Sequence, residues 1–552
     1  KLREEYKTIK PEEIKVIDPC MGSGHILVYA FDVLMQIYTS AGWDQREAAQ
    51  SILKNNLFGL DIDDRAAQLA YFAVMMKARQ YDRRLLTRGI QPYIYSIRES
   101  NGIQAMTIEY FHKNNLKLRA DIESVVAEMR DAKEYGSILN ITPVDFAGLY
   151  ARFDEIREDI NMMQKPALEE LLPVVKCAEL LAQKYDAVVT NPPYLGSSRF
   201  STKLNDFVIA NYPDVKADLS MVMYKHALRD MCQKNGFVSF ITTTSWMFLS
   251  SFEKLRGFVL AGYDFESLVD FGTELFEGKV GHNPIVAWVN RKSHTDHAMT
   301  GIRLVDYCYS RRDEKKPEFF NKKNYYYPKQ SNFSIIPGSP VAYWVSDVFA
   351  KSFAAGKQLA EIAPTRKGMF TGNNDLWLKL WFEIGHDTLF NKFKPYNKGG
   401  EFRKWYGNNE YVVNWSNDGS DIINAKGSGN INTSLFFKPC ITWSLITSYK
   451  PSFRIILDHE HVMGDAGPIS LAKQTEMQYI LALLNTKYTE AVAALIAPTI
   501  NFSNGVAGGI PVIIDVEAKN TVDSLSEQCI THSREDWDAY ETSWDFKRNP
   551  LV

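Results

Sequence analysis

The sequence from residue 14 to residue 24 is Ile14-Lys15-Val16-Ile17-Asp18-Pro19-Cys20-Met21-Gly22-Ser23-Gly24. A mostly apolar run, a glycine turn and then an apolar-periodic stretch from residue 26 to residue 38 predict a strand, a tight loop and a helix. A second strand is predicted at residues 57–60 and a second helix at residues 65–79. Two strand–helix units in succession predict an α/β fold with a parallel sheet covered by helices.

Further strands are predicted downstream, at residues 93–97, 187–189, 236–241, 267–270 and 285–289. Residues from about 100 to 184 are polar and mostly helical in pattern, which predicts a helical insertion in the sheet domain. After about residue 291, basic and aromatic residues cluster between short strands and Gly, Asn and Ser turns. We therefore expect two domains, residues 1–300 and residues 301–552, the second of mixed α+β structure.

The composition is that of a globular protein, with 45% hydrophobic and 23% charged residues. The net charge of -3 does not by itself indicate a nucleic-acid binder. No apolar run is long enough to cross a bilayer, so we expect no membrane contact and a cytoplasmic location. Six scattered cysteines predict neither disulfides nor a metal site. Because the chain starts at Lys1 without a methionine, we expect it to be part of a longer protein.

The run Asn191-Pro192-Pro193-Tyr194 follows a predicted strand, where α/β folds place ligand sites. An exocyclic adenine amine is a poor nucleophile because its lone pair is delocalised into the ring. The Asn191 side-chain oxygen and the Pro192 carbonyl can accept its two hydrogens, and the two prolines hold that carbonyl in place. Tyr194 can stack on a base flipped out of a duplex. The run predicts activation of such a nitrogen, with a rigid turn as the structural alternative.

The glycine loop predicts a cofactor site, in which Asp18, Pro19, Gly22, Ser23 and Gly24 bring the backbone close to a ligand. A nicotinamide dinucleotide site would have a third glycine where this chain has Leu27, and an acidic residue about 20 residues further on. The acidic candidate here, Asp61, lies much later. This spacing favours S-adenosylmethionine, whose ribose hydroxyls Asp61 can bind while Ile62 contacts the adenine.

The chain resembles the amino-methyltransferases of the class I S-adenosylmethionine fold. More closely, it is similar to the PglX-type adenine-specific DNA methyltransferases of BREX phage-defence systems, which are related to type IIG restriction-modification enzymes. The resemblance covers nearly the whole chain, although Cys20-Met21 stand where the family more often has Ala-Cys. The motifs that carry it are residues 18–25, 59–63, 191–194, 245–253, 371–374 and 544–548.

The resemblance implies a Rossmann-like S-adenosylmethionine methyltransferase sheet followed by a target-recognition domain. It implies S-adenosylmethionine as cofactor and methylation of adenine N6 in double-stranded DNA, within a BREX or restriction-modification system that can include other phage-defence proteins. It also implies that the residue that binds the cofactor adenine lies near Glu99 to Asn101, with Glu99 as the candidate, and that Phe276 contacts the flipped base. An ordinary core position is the alternative for Phe276.

Two stretches of the second predicted domain have the residue types that contact DNA. Residues 392–411 interleave basic and aromatic residues, and they include Lys398, Arg403 and Lys404. A solvated charged face over an aromatic core is the alternative for this stretch. In residues 366–374, turn glycines can let backbone amides reach phosphate. The candidate DNA contacts in this stretch are Lys367, Thr371, Asn373 and Asn374.

Two other functions remain open on sequence grounds. The same Asn-Pro-Pro-Tyr chemistry can activate a protein glutamine amide, although such enzymes lack a large recognition domain. The chain can also be a DNA-binding, methyltransferase-like subunit that is active only in a complex. Residues 458–461, Asp-His-Glu-His, could be mistaken for a metal site, but we expect them to be surface residues.

Overall fold

The structure is a computed structural model that describes residues 8–276, 282–295, 297–447, 450–496 and 501–548. It divides into two compact units, Lys1–Ser331 and Asn332–Val552. The composition change near residue 300 precedes this division, because two further strands that join the first sheet lie beyond it. In the described part of the chain, no helix combines the length and the apolar character needed to cross a membrane.

The first unit contains a nine-stranded sheet of order β3-β2-β1-β4-β5-β7-β6-β8-β9. The strands are β1 Val16–Asp18, β2 Leu57–Asp61, β3 Tyr93–Ser96, β4 Tyr185–Thr190, β5 Cys232–Thr243, β6 Asp264–Gly272, β7 Ile285–Arg291, β8 Thr300–Arg303 and β9 Tyr325–Tyr326. Strands β1 to β5 are parallel, and β7 runs antiparallel between β5 and β6. The predicted parallel α/β sheet is confirmed, with two reversed strands that the sequence pattern did not indicate. These are β7 and, at the edge of the sheet, β9, which pairs antiparallel with β8.

Helices cover this sheet and fill the long connection between β3 and β4. The helices of the first unit are His25–Ser40, Gln45–Ser51, Asp64–Arg79, Ala105–His112, Leu116–Glu128, Ala132–Tyr135, Phe146–Arg157, Gln164–Pro166, Leu172–Ala182, Thr202–Asn211, Leu219–His226, Glu253–Gly262 and Lys315–Phe319. Residues 105–182 are thus mainly helical, as the polar pattern predicts. The first strands are buried on both faces, which is typical of parallel strands between helices.

Two glycines allow the close packing around the first loop. Gly24 precedes the helix His25–Ser40 with φ of 82°, and a Cβ there would lie 2.9 Å from Ala70. A Cβ on Gly59 would lie 2.5 Å from the Met21 sulfur. A larger residue at either position would push the loop after β1 away from its neighbours.

The second unit has mixed α+β structure, as predicted. Its two four-stranded sheets have the strands Thr365–Arg366, Ile469–Ser470, Cys440–Trp443 and Phe453–Ile456, and the strands Leu378–Leu380, Tyr411–Asn414, Phe393–Asn397 and Val462–Met463. Lys357–Gln358 and Pro511–Val512 form a two-stranded sheet. The helices are Asp347–Ala355, Leu359–Ile362, Asn374–Trp377, Ser420–Ile423, Met477–Leu484, Lys487–Ile496, Asn504–Gly508 and Lys519–Asp538.

Candidate active site

A cleft of ≈ 590 Å³ lies in the first unit, at the carboxyl ends of β1, β2 and β4. It brings together predicted residues that are far apart in sequence, namely Pro19, Asp61, Ile62, Asn191, Pro192, Pro193, Tyr194 and Phe276. Parallel strands that end at one edge of a sheet deliver their following loops to the same place. The two halves of the predicted site therefore share one cavity.

Asp61, at the end of β2, is tied to the glycine loop. Its Oδ2 accepts a hydrogen bond from the Gly22 backbone N–H at 2.9 Å, and its Oδ1 accepts one from Asp63 N–H at 2.9 Å. Gly22 has φ of 51° and nothing lies within 4 Å of the position of a Cβ, so the loop is open at this point. Each carboxylate oxygen has a second lone pair available for a ligand hydroxyl.

Asp18, at the end of β1, is 1% exposed and lies behind the loop. Its Oδ1 accepts hydrogen bonds from Thr190 Oγ1 at 2.7 Å and from Cys20 N–H at 3.0 Å. Burial raises the pKa of Asp18 to about 7, and these two hydrogen bonds limit the rise. Asp18 therefore supports the loop rather than lining the cleft.

The raised pKa of Asp18 predicts a pH-dependent gain in stability for Asp18→Asn. The Asp18 carboxyl releases its proton near pH 4 in the unfolded chain but only near pH 7 in the folded chain. The free energy of unfolding of the wild-type protein therefore falls as the pH rises across that range, by up to about 4 kcal/mol. The variant should gain more thermal stability over wild type at pH 8 than at pH 5. Melting curves of both proteins at the two pH values measure this, and an equal difference at both would contradict the assignment.

Asn191 is exposed at the start of the second loop, while Pro192 is buried behind it. The Tyr194 hydroxyl lies 2.8 Å from Asn191 Oδ1 and 3.1 Å from the Ile241 carbonyl oxygen. Since the hydroxyl has one proton and the amide oxygen two lone pairs, Asn191 keeps a free acceptor site. Burial raises the pKa of Tyr194 to about 12, so its hydroxyl is a donor at neutral pH.

Five predicted cofactor-binding residues lie outside the lining of this cleft, and Asp18 and Gly22, described above, are two of them. Gly24 packs against Ala70. Ser23 Oγ lies 2.8 Å from His25 Nδ1 on an exposed surface. Glu99 lines a separate cavity of ≈ 850 Å³ beside β3. The role of Glu99 toward a cofactor stays a prediction, and the position of its side chain does not favour it.

The helical insertion supplies one wall of the cleft, which the sequence pattern did not predict. Residues 134–138 line the cleft, and a Cβ on Gly136 would lie 3.3 Å from Ile62. Ser137 Oγ donates to the Pro19 carbonyl oxygen. Leu219 and Met223 line it as well. Only the packing of the insertion over β2 reveals residues 134–138, since their local pattern is that of an ordinary helix end. Leu219 and Met223 come from the later helix Leu219–His226.

Arg403 and Lys404, in the second unit, are engaged in ion pairs. Arg403 Nη2 donates to Asp536 at 2.6 Å, and its guanidinium lies 5.0 Å from the Trp537 ring centroid. Lys404 Nζ pairs with Glu490 at 3.1 Å. These contacts match the alternative of charged side chains over an aromatic core, so a DNA contact by either residue stays a prediction.

The polar residues of the loop after residue 366 also have local partners. Thr371 Oγ1 donates to Asn374 Oδ1 at 2.6 Å, and Thr371 is buried. Asn373 caps the helix Asn374–Trp377 by accepting from Leu376 N–H. Such bonds shape the loop and leave its exposed face for other contacts.

Lys367 and Lys398 are less constrained. The Lys367 amine is 3.8 Å from Asp465, a long and partly exposed pair that contributes little. Lys398 Nζ lies 4.0 Å from the Tyr411 ring centroid, which is a cation–π geometry. Both amines stay candidates for phosphate contacts.

The expectation that residues 458–461 are surface residues is wrong for His461. His461 is 2% exposed and its Nδ1 lies 2.7 Å from Asp458 Oδ1. Glu460 pairs with Lys394. In the described residues, no group of His, Cys, Asp and Glu side chains could hold a metal ion. The histidine is a core residue with its own carboxylate partner.

The sheet order, with one reversed strand between parallel neighbours and a cleft at the strand ends, defines a Rossmann-like methyltransferase domain. Residues 55–276 match the family model of the Eco57I restriction-modification methylase. The chain is a homologue of the adenine-specific methyltransferase BrxX of Escherichia coli O9:H4 (strain HS), with 36% identity over 99% of this chain and 47% of that protein. It is also homologous to the adenine-specific methyltransferase PglX of Lacticaseibacillus casei (strain Zhang), with 34% identity over 100% of this chain and 48% of that protein.

The predicted resemblance to PglX-type methyltransferases is thus confirmed, and the chain spans about half the length of these relatives. Two solved structures share the fold across both units. The type IIL restriction-modification enzyme MmeI in complex with DNA has a TM-score of 0.52 at 13% identity, over 98% of this chain and 68% of that one. A nuclease-deletion mutant of the type ISP enzyme LlaGI, with a DNA substrate mimic, has a TM-score of 0.50 at 12% identity, over 96% of this chain and 45% of that one.

Proposed function

We propose that the protein transfers a methyl group from S-adenosylmethionine to adenine N6 in double-stranded DNA. The observation that carries the proposal is the shared cleft, in which Asp61 of the donor side and Asn191 of the acceptor side line one cavity. The names of the homologous methyltransferases support the same reaction. Its setting is phage defence, in a BREX or restriction-modification system of the cytoplasm.

The cleft residues fit S-adenosylmethionine, which supplies an electrophilic methyl group on a sulfonium. Asp61 keeps lone pairs for ribose hydroxyls, and Ile62 is 52% exposed and free to contact the adenine ring. Among the described residues that line the cleft there is no Lys, Arg or His, and Asp61 and Glu134 are acidic. This charge suits a cationic ligand better than the diphosphate of a dinucleotide.

On the acceptor side, Asn191 Oδ1 and the Pro192 carbonyl accept the two hydrogens of the adenine amine. These bonds draw the nitrogen lone pair out of conjugation and direct it along the cleft toward the donor side. Tyr194 supplies a ring for stacking and a hydroxyl that orients the Asn191 amide. The amine becomes acidic once it is methylated, and its proton leaves to solvent.

The two contributions of Tyr194 can be separated by two substitutions. Tyr194→Phe keeps the ring and loses one neutral hydrogen bond, so we expect kcat/KM to fall by about 2- to 10-fold. Tyr194→Ala also loses base stacking, which predicts a loss of about 5- to 150-fold beyond that. Steady-state kinetics on one DNA substrate measure both. Equal losses in the two variants would contradict the stacking role.

For the second unit, we propose binding of the DNA target. Lys367 and Lys398, both half-buried, are the basic residues with the weakest internal partners in the predicted contact set. The sequence of the target site is a separate question that these residues do not answer. We also propose other phage-defence proteins as partners.

Transfer of tritiated methyl groups tests the proposed acceptor. The protein is incubated with labelled S-adenosylmethionine and, in parallel, with duplex DNA, RNA or a glutamine-containing protein substrate, each with and without its partner proteins. Label in DNA supports the proposal. Label only in the protein substrate would support glutamine methylation instead, and label in DNA only with partners would identify a subunit that is active in a complex.

A further inference from the structure

The cleft lies where the strand order of the sheet changes direction. β1 is followed outward by β2 and β3, whereas β4 is followed by β5 on the other side. The paired register between β1 and β4 is Val16↔Ala187 and Ile17↔Val188. The donor loop after β1 and the acceptor loop after β4 therefore leave adjacent strands at a point where the strand ends can separate.

One side-chain hydrogen bond crosses this point. Thr190, the last residue of β4, donates from Oγ1 to Asp18 Oδ1 at 2.7 Å, and Asp18 is the last residue of β1. Both residues are 1% exposed. The same oxygen accepts from Cys20 N–H in the donor loop. Asp18 thus accepts one hydrogen bond from the end of β4 and one from the loop after β1, and Thr190 directly precedes Asn191.

We propose that Thr190 is a positioning residue that fixes the distance between the two halves of the reaction site. The inference rests on the proposed function, since it concerns the separation of methyl donor and acceptor amine. A buried hydroxyl–carboxylate bond has no water competing for it and resists lengthening. Transfer depends steeply on geometry, and a displacement of about 1 Å can cost about 10²-fold in rate.

Thr190→Val tests this because valine keeps the shape and removes the hydroxyl. We expect kcat to fall by about 10- to 100-fold. The Kd values for S-adenosylmethionine and for DNA should stay within about threefold, because Thr190 is buried and does not line the cleft. Thr190→Ser keeps the hydroxyl and should restore most of kcat. Binding is measured by calorimetry and kcat by single-turnover methyl transfer with both ligands saturating.

Thr242→Val is the matched control. Thr242 is a buried threonine of β5 whose hydroxyl lies 3.1 Å from the Thr243 carbonyl oxygen. Thr242→Val is therefore the same chemical change at a hydroxyl that does not link β1 to β4. If Thr190→Val does not fold, Thr190→Ala removes the hydroxyl without the valine methyl group. Melting curves identify the folded variants.

The inference is overturned if Thr190→Val has the kcat of Thr242→Val, or if Thr190→Ser is as slow as Thr190→Val. It is also overturned if cofactor affinity falls as much as kcat, because the hydroxyl would then act in binding. If wild-type protein transfers no methyl group with or without partners, the proposed function fails first and this inference fails with it.

Discussion

Asn191→Ala should lower methyl transfer to DNA by about 10³-fold, in line with the loss of a preorganised hydrogen-bonding group at a reacting centre. The alanine cannot accept a hydrogen from the adenine amine, so the nitrogen lone pair stays in the ring. The role proposed for Asn191 concerns the acceptor amine and not the cofactor, so the Kd for S-adenosylmethionine should stay within about threefold. Single-turnover kinetics and calorimetry measure the two quantities.

Two further variants make this result specific. Asn191→Asp keeps an acceptor oxygen and should retain more activity than Asn191→Ala. Asn211→Ala removes an exposed asparagine whose amide bonds only to its own helix, at the Phe207 carbonyl, and should behave as wild type. A parallel fall in cofactor affinity for Asn191→Ala would contradict its assignment to the acceptor side.

Asp61→Asn should weaken cofactor binding and leave the transfer step nearly unchanged. We expect the Kd for S-adenosylmethionine to rise about 10²-fold. Hydrogen bonds from ribose hydroxyls to a carboxylate are charge-assisted and worth about 1.5–3 kcal/mol each. The amide has one acceptor oxygen instead of two, so it can keep only one of the bonds that Asp61 accepts from the Gly22 and Asp63 backbone N–H groups. At saturating cofactor, kcat should stay within about threefold because the acceptor loop is untouched. Calorimetry gives the Kd, and kinetics at increasing cofactor concentration give kcat.

Asp63→Asn is the control for this change. Asp63 is an exposed neighbour whose Oδ1 caps the helix Asp64–Arg79, a role that asparagine can also fill. Its cofactor affinity should equal that of wild type. An equal loss of affinity in both variants would mean that the local charge, and not a contact by Asp61, holds the cofactor.

The opening strand, glycine loop and helix could be predicted because they follow from local pattern. The presence of Asp61 and Asn191 in one cleft could be predicted too, since parallel strands place their following loops at one edge of the sheet. The reversed direction of β7 could not be predicted, because the apolar pattern of a strand is the same in either direction. Gly136 and Ser137 could not either, since their position depends on how a long insertion packs over β2.

The charged residues of the second unit show a similar limit. The interleaved basic and aromatic residues near Arg403 have the composition of a DNA-binding surface, yet Arg403 and Lys404 pair with Asp536 and Glu490. These partners lie far along the chain, and no local pattern links them. Composition indicates which side chains can bind phosphate, and the fold decides which of them are already paired.

The most direct test of the proposed reaction is the identity of the methylated product. The protein is incubated with duplex DNA and S-adenosylmethionine that carries a deuterated methyl group, and the DNA is digested to nucleosides for mass spectrometry. The cleft predicts deuterated N6-methyladenosine in the deoxy form, absent with Asn191→Ala. Label at a cytosine or in protein alone, or equal product from the Asn191→Ala variant, would contradict the account.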